Sequence, residues 1–133
     1  MRARTPEGGK LERKAKLLAR VLAHLDDSVV IVEGKKDAEA LREIGVKGKV
    51  LLASGRVKGI CEKISAEEAV VLTDNDEAGK ELAEILRDEL EACNIRADLQ
   101  ARRDLHYVLG LNTVEEIPGK MREFEEKLRL KAK

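Results

Sequence analysis

Tryptophan is absent from this 133-residue chain, and tyrosine and phenylalanine occur once each, as Tyr107 and Phe124. A buried core must therefore be aliphatic, and a platform on which successive unpaired bases stack, which needs several aromatic faces, is excluded as the main way of binding a single strand. Cysteine is almost as scarce. Cys61 and Cys93 stand 32 positions apart with no CxxC and no neighbouring pair of histidines. Neither a zinc site nor a disulfide framework is expected, and both are read as reduced core thiols. No apolar run approaches the ~20 residues that a membrane helix needs, and no N-terminal stretch resembles a signal peptide. The expectation is a soluble, cytoplasmic protein without a membrane partner. Net charge is missing too: the formal total is zero, which argues against a protein that coats polyanions by bulk charge.

What is present is charge of both signs, 39% of the residues, beside 43% hydrophobic residues. That balance, at the length of one ordinary domain, reads as a single globular unit. The charges are unevenly spread: residues 1–20 carry net +5, residues 21–95 net −7 and residues 96–133 net +2. Contacts with nucleic acid would have to come from local clusters, and the ends of the chain supply them.

Residues 1–9, MRARTPEGG, have no periodicity and read as a flexible basic arm. From Lys10 to Asp26 the spacing of Leu11, Ala15, Leu18, Leu22 and Leu25 predicts an amphipathic helix. Val29 to Val32 is a continuous apolar run suited to a strand covered on both faces. Ala38, Leu41 and Ile44 then mark a short helix closed by Gly45. Val50 to Ala53 reads as a second buried strand, Ile60 and Ile64 as a short helix, and Ala69 to Thr73 as a third strand. A long helix with Ala78, Leu82, Ile85, Leu86, Leu90 and Cys93 on one stripe follows. Ile95, Ala97, Leu99 and Ala101 alternate with polar residues, predicting a half-exposed edge strand. Thr113 and Glu116 form a capping-box pattern ahead of a last amphipathic helix through Ile117, Met121, Phe124 and Leu128, with a restart at Pro118. The alternation of strands and helices predicts an α/β fold, a mostly parallel sheet flanked by helices with one helix added in front.

In open parallel sheets, ligands sit beyond the carboxyl ends of the strands. The first strand delivers Glu33, Gly34, Lys35, Lys36 and Asp37 to that rim, the second Ser54, Gly55 and Arg56, and the third Asp74, Asn75, Asp76 and Glu77. Singly, each has an ordinary explanation: lysines on a solvated helical turn, acids favoured by a helix dipole, an aspartate that caps a helix. Together, Asp74 and Asp76 can aim two carboxylates at one hard cation such as Mg²⁺, with Glu33 as a third acid that binds the metal or moves a proton. Lys35, Lys36 and Arg56 suit an anionic substrate. An EF-hand loop is excluded because its fifth and twelfth positions would be Ala78 and Ile85, and a dinucleotide fingerprint because only Gly34 is present. A haloacid-dehalogenase-like phosphatase fits poorly, with Ala78 where Thr or Val belongs.

A glutamate closing one strand in VVIVEGKKD, with D-x-D about 40 residues later in VVLTDNDEAGKELA, resembles the Toprim domain of topoisomerases, bacterial primases, OLD-type nucleases and RecR-type recombination proteins. The resemblance spans roughly residues 27–110, so that the Toprim (Rossmann-like) domain would occupy 27–133 with its C-terminal helix. Glu33, Asp74 and Asp76 match the motif, as do Lys36, Asp37 and Gly79. Within the family the chain is similar to small stand-alone Toprim proteins and to the 5S ribosomal RNA maturase ribonucleases. The resemblance implies a Mg²⁺-dependent site, with Mn²⁺ as a substitute, for making or breaking phosphodiester bonds. Glu33 would be the general acid or base, and Asp74 and Asp76 would bind the metal. A topoisomerase needs a nucleophilic tyrosine in context, and Tyr107 is read as a packing residue instead; no zinc-binding domain of a primase is present. Arg102, Arg103 and His106 are candidates to reach phosphates, whereas His24 reads as structural. The expected activity is a metal-dependent nuclease acting on structured nucleic acid, RNA favoured over DNA. The rival is a non-catalytic nucleic-acid-binding or scaffold protein, joined to a protein partner through its N-terminal or C-terminal helix.

Overall fold

A computed structural model describes residues 6–54 and 57–131. Four strands, β1 (Val29–Val32), β2 (Lys49–Leu52), β3 (Glu68–Val71) and β4 (Arg96–Asp98), form one sheet in the order β2-β1-β3-β4 with every pairing parallel. The helices are α1 (Pro6–Asp26), α2 (Lys35–Glu43), α3 (Glu77–Ala92), α4 (Gln100–Leu109) and α5 (Ile117–Lys131), with 3₁₀ turns at Ile60–Lys63 and Val114–Glu116. The expected α/β architecture with an added N-terminal helix is therefore present.

Strand alternation divides the core in two. Val30, Val32, Val70 and Leu72 face one side, where Leu18, Val21 and Leu25 of α1 meet Leu41, Leu105 and Phe124 from α2, α4 and α5. Ile31, Ala69 and Val71 face the other, against Ala83, Leu86 and Leu90 of α3 and Ile60 and Ile64. A central strand buried on both faces has no polar positions to spare, which is why VVIV reads as an unbroken apolar run. Gly45 ends the turn after α2 at φ +89°, where a side chain would be strained.

Several expectations are corrected. α1 begins at Pro6, ahead of Lys10; proline is tolerated in a first turn, whose N–H groups have no helical partner. Residues 1–5 of the expected arm, and Arg56, lie outside the described residues. β2 is an edge strand with Lys49 and Leu52 exposed, not a buried one. β4 ends at Asp98, and the alternation through Leu99 and Ala101 belongs to the start of α4, because a short period-two run fits a helix face for two or three residues as well as a strand. On α3 the buried stripe runs through Gly79, Ala83, Leu86 and Leu90, leaving Ile85 54% exposed. Tyr107 is not a packing residue: it is 56% exposed with the Lys14 ammonium 4.8 Å from its ring centre. The Thr113–Glu116 capping box is present, and α5 starts at Ile117 with Pro118 in its first turn.

The cysteines are not reduced core thiols. Cys61 and Cys93 are joined in a disulfide, their Cα atoms 6.6 Å apart, which ties the first 3₁₀ turn to the end of α3. Sequence spacing was silent here because the fold, not the 32-residue separation, returns α3 to that turn. Closing a loop of this length constrains the unfolded chain by roughly 3–4 kcal/mol. Cys93→Ser is expected to lower the stability in urea unfolding by most of that amount, with a steeper slope because the uncrosslinked unfolded chain exposes more surface, and the same loss should follow reduction of the native protein.

Candidate metal and phosphate site

The rim is built from three turns. After β1 the chain passes through Glu33 and Gly34 into α2, and the Gly34 N–H donates to Asp37 Oδ2 at 3.1 Å. That bond turns Asp37 back over the strand end, so a charged side chain at the helix start is only 8% exposed. After β3, buried Thr73 donates its hydroxyl to the Gly79 carbonyl at 2.7 Å, and Asp76 Oδ1 caps α3 by accepting from the Gly79 N–H at 2.7 Å. Gly79 is forced by close approach: a Cβ there would stand 2.0 Å from the Asp74 carbonyl oxygen. The third turn precedes α5. Val114 N–H donates to Asp74 Oδ1 at 2.8 Å, and Asn75 N–H donates to the Asn112 carbonyl at 2.8 Å.

These turns bring Glu33, Asp37 and Asp74 together, with one carboxylate oxygen of each within 4.8 Å of the others. Glu33 titrates above the ordinary glutamate range, first because it loses hydration and then because Asp74, Asp37 and Asp76 repel its charge. Asp37 is raised as well, by burial first; the Gly34 hydrogen bond opposes this, and the charges of Asp74 and Glu115 add to it. Carboxylates that resist ionising beside one another form an all-oxygen donor set that a hard divalent cation would relieve, and the residues fit such an ion.

The three acids line a pocket of about 360 Å³ together with Lys35, Lys36, Thr113 and Glu115. Both lysines thus stand where the sequence places them, beside the acids. Asp76 is next to the cluster but holds the N-cap of α3, whereas Asp37 occupies the third corner. The sequence places Asp37 on the rim and in the motif but not among the metal ligands; the signal for that role was its short spacing from Gly34. Glu115 was not foreseen, and no local pattern marks it.

Arg102 points at the rim from behind. Its Nε and Nη2 donate to the carbonyls of Thr73 at 3.2 Å and Asp74 at 2.8 Å, so it braces the acidic turn. His106 Nε2 donates to the same Thr73 carbonyl at 3.2 Å, and its buried Nδ1 has no hydrogen-bond partner among the described residues. Burial lowers its pKa, which disfavours the charged ring. Arg103 reaches Gln100 Oε1 at 3.2 Å on the exposed side of α4.

The chain is similar to the UPF0292 protein of Pyrococcus furiosus, 37% identical over 82 residues covering 60% of this chain and 62% of that protein, just under two thirds of its length. It is 34% identical to the UPF0292 protein of Thermococcus gammatolerans over 97 residues, 70% of this chain and 73% of the relative. A solved structure of a protein from Aquifex aeolicus superposes with a TM-score of 0.66 at 24% identity, covering 74% of this chain and 96% of that one, a likeness of fold. The Toprim domain matches residues 27–101, which hold Glu33, Asp37, Asp74 and Asp76; the chain belongs to the Toprim domain family, whose members are typically metal-binding and associated with nucleic acid.

Proposed function

We propose that the protein is a Mg²⁺-dependent phosphodiester hydrolase, also served by Mn²⁺, that acts on structured nucleic acid and on RNA in preference to DNA. The observation that carries this reading is the juxtaposition in one pocket of three converging carboxylates with two lysines. Asp37 and Asp74 would hold the ion, with Glu33 and Asp76 beside them; the chemistry that such an ion supplies is Lewis-acid polarisation of a phosphoryl oxygen. Lys35 and Lys36, both exposed, offset phosphate charge at the mouth of the pocket. The start of α2 adds its positive dipole end. Glu33, with its raised affinity for a proton, takes one from the attacking group and returns it to the leaving oxygen. The preference for RNA rests on the resemblance to maturase ribonucleases, and the scarcity of aromatic rings favours backbone and shape recognition.

The test is incubation of the purified protein with labelled single-stranded, duplex and hairpin RNAs and DNAs, in Mg²⁺ or Mn²⁺ and in EDTA. Cleavage of a hairpin or duplex RNA that EDTA abolishes is expected. Tight binding with no cleavage of any member would replace the hydrolase by a non-catalytic nucleic-acid-binding or scaffold protein.

A further inference from the structure

The strand alternation that buries Val70 beneath α1 also turns Glu68, two residues earlier on β3, and Asp98, at the end of β4, toward that same helix layer. His24, in the last turn of α1, comes down between them. Its Nε2 lies 2.7 Å from Asp98 Oδ2, and one ligand atom each from His24, Glu68 and Asp98 lie within 4.8 Å of one another. None of the three belongs to the rim: six residues separate Glu68 from Asp74, up to about 20 Å of extended chain.

We propose that His24, Glu68 and Asp98 form a second metal site, selective for a borderline transition ion such as Zn²⁺ or Co²⁺. The donor set sets the selectivity. The rim offers carboxylate oxygens alone, which suit Mg²⁺, whereas an imidazole nitrogen with two carboxylates suits Zn²⁺ and its neighbours. The remaining atoms are already held in place. Asp98 Oδ1 accepts from the Gln100 N–H at 2.8 Å at the start of α4, so Oδ2, which now meets His24 Nε2, is the oxygen that would turn to the ion. Arg96 is bound to Glu68 Oε2 at 2.7 Å, leaving Oε1. Two carboxylates and one guanidinium carry a net charge of −1, so a divalent ion is favoured electrostatically. Three protein ligands leave a position for water or an external group, and His24 and Glu68 also line a cavity of about 510 Å³ beside Lys47 and Lys49. Bound there, the ion fastens the N-terminal helix to the edge of the sheet.

The test uses the full chain carrying Asp74→Asn, so that the rim is weakened, titrated with Co²⁺ alone. Visible d–d bands of a nitrogen- and oxygen-ligated ion should grow to one Co²⁺ per chain, disappear on adding Zn²⁺ and persist in excess Mg²⁺. Adding His24→Gln or Glu68→Gln should weaken Co²⁺ at least tenfold; Glu68→Gln keeps the His24–Asp98 contact and so guards against loss of fold. Absence of the bands, or bands that neither substitution alters, would overturn the site and leave His24–Asp98 as a hydrogen bond between helix and sheet.

Discussion

Glu33→Gln is expected to leave metal and nucleic-acid binding largely intact while turnover falls by roughly 10²- to 10⁴-fold, the usual span for loss of a general acid or base. Glutamine keeps the size and hydrogen-bonding reach of glutamate but cannot take up a proton. Asp74→Asn should fail differently. Asparagine can still accept from the Val114 N–H, so the turn survives, but the loss of a charge weakens the ion, and part of the lost rate should return at higher Mn²⁺. Steady-state rates across a Mn²⁺ titration separate the two. If excess Mn²⁺ restored Glu33→Gln as fully as Asp74→Asn, Glu33 would be a metal ligand and not the proton carrier.

The second large effect lies at a residue with no chemistry of its own. Gly79→Ala would set a methyl group 2.0 Å from the Asp74 carbonyl oxygen, and the neighbours that must give way are backbone atoms rather than a flexible side chain. Either α3 or the acidic turn must move. Overpacking of this kind is destabilising by about 1–3 kcal/mol or more. Because the displaced atoms belong to Asp74, metal affinity should fall along with the melting temperature. Arg87→Ala, on an exposed pair elsewhere on α3, should change stability by no more than about 1 kcal/mol. A Gly79→Ala protein with unaltered metal affinity would show that the Asp74 backbone has slack.

How far this site could be read in the sequence follows from the range of the interactions. The position of Glu33, Asp74 and Asp76 on the rim was legible because each follows an apolar strand, and the strand ends of a parallel sheet share one rim; that Asp76 caps α3 was not. Asp37 was visible as a residue but not as a ligand, since only the Gly34 hydrogen bond swings its carboxylate over the strand end. Arg102 was expected to meet phosphate, yet it binds the carbonyls of Thr73 and Asp74; with α4 hidden behind an apparent strand alternation, the side from which it approaches was not predictable. The contact between Val114 and Asp74 spans 40 residues and uses a backbone N–H, which leaves no trace in residue identity. The disulfide escaped for the same reason: only the packing of α3 against the first 3₁₀ turn brings Cys93 to Cys61.

The central claim is that Asp37 and Asp74 hold one divalent cation beside Glu33, and the most direct measurement is a titration of the isotopically labelled protein with substoichiometric Mn²⁺, read by NMR and repeated with Mg²⁺ in competition. Paramagnetic broadening should centre on Glu33, Gly34, Asp37 and Asp74 and be reversed by Mg²⁺. Saturation should raise stability by the mass-action contribution, about 2.7 kcal/mol at a hundredfold excess over the dissociation constant. Broadening centred away from these residues, or resonances and melting temperature unmoved by millimolar ion, would contradict it.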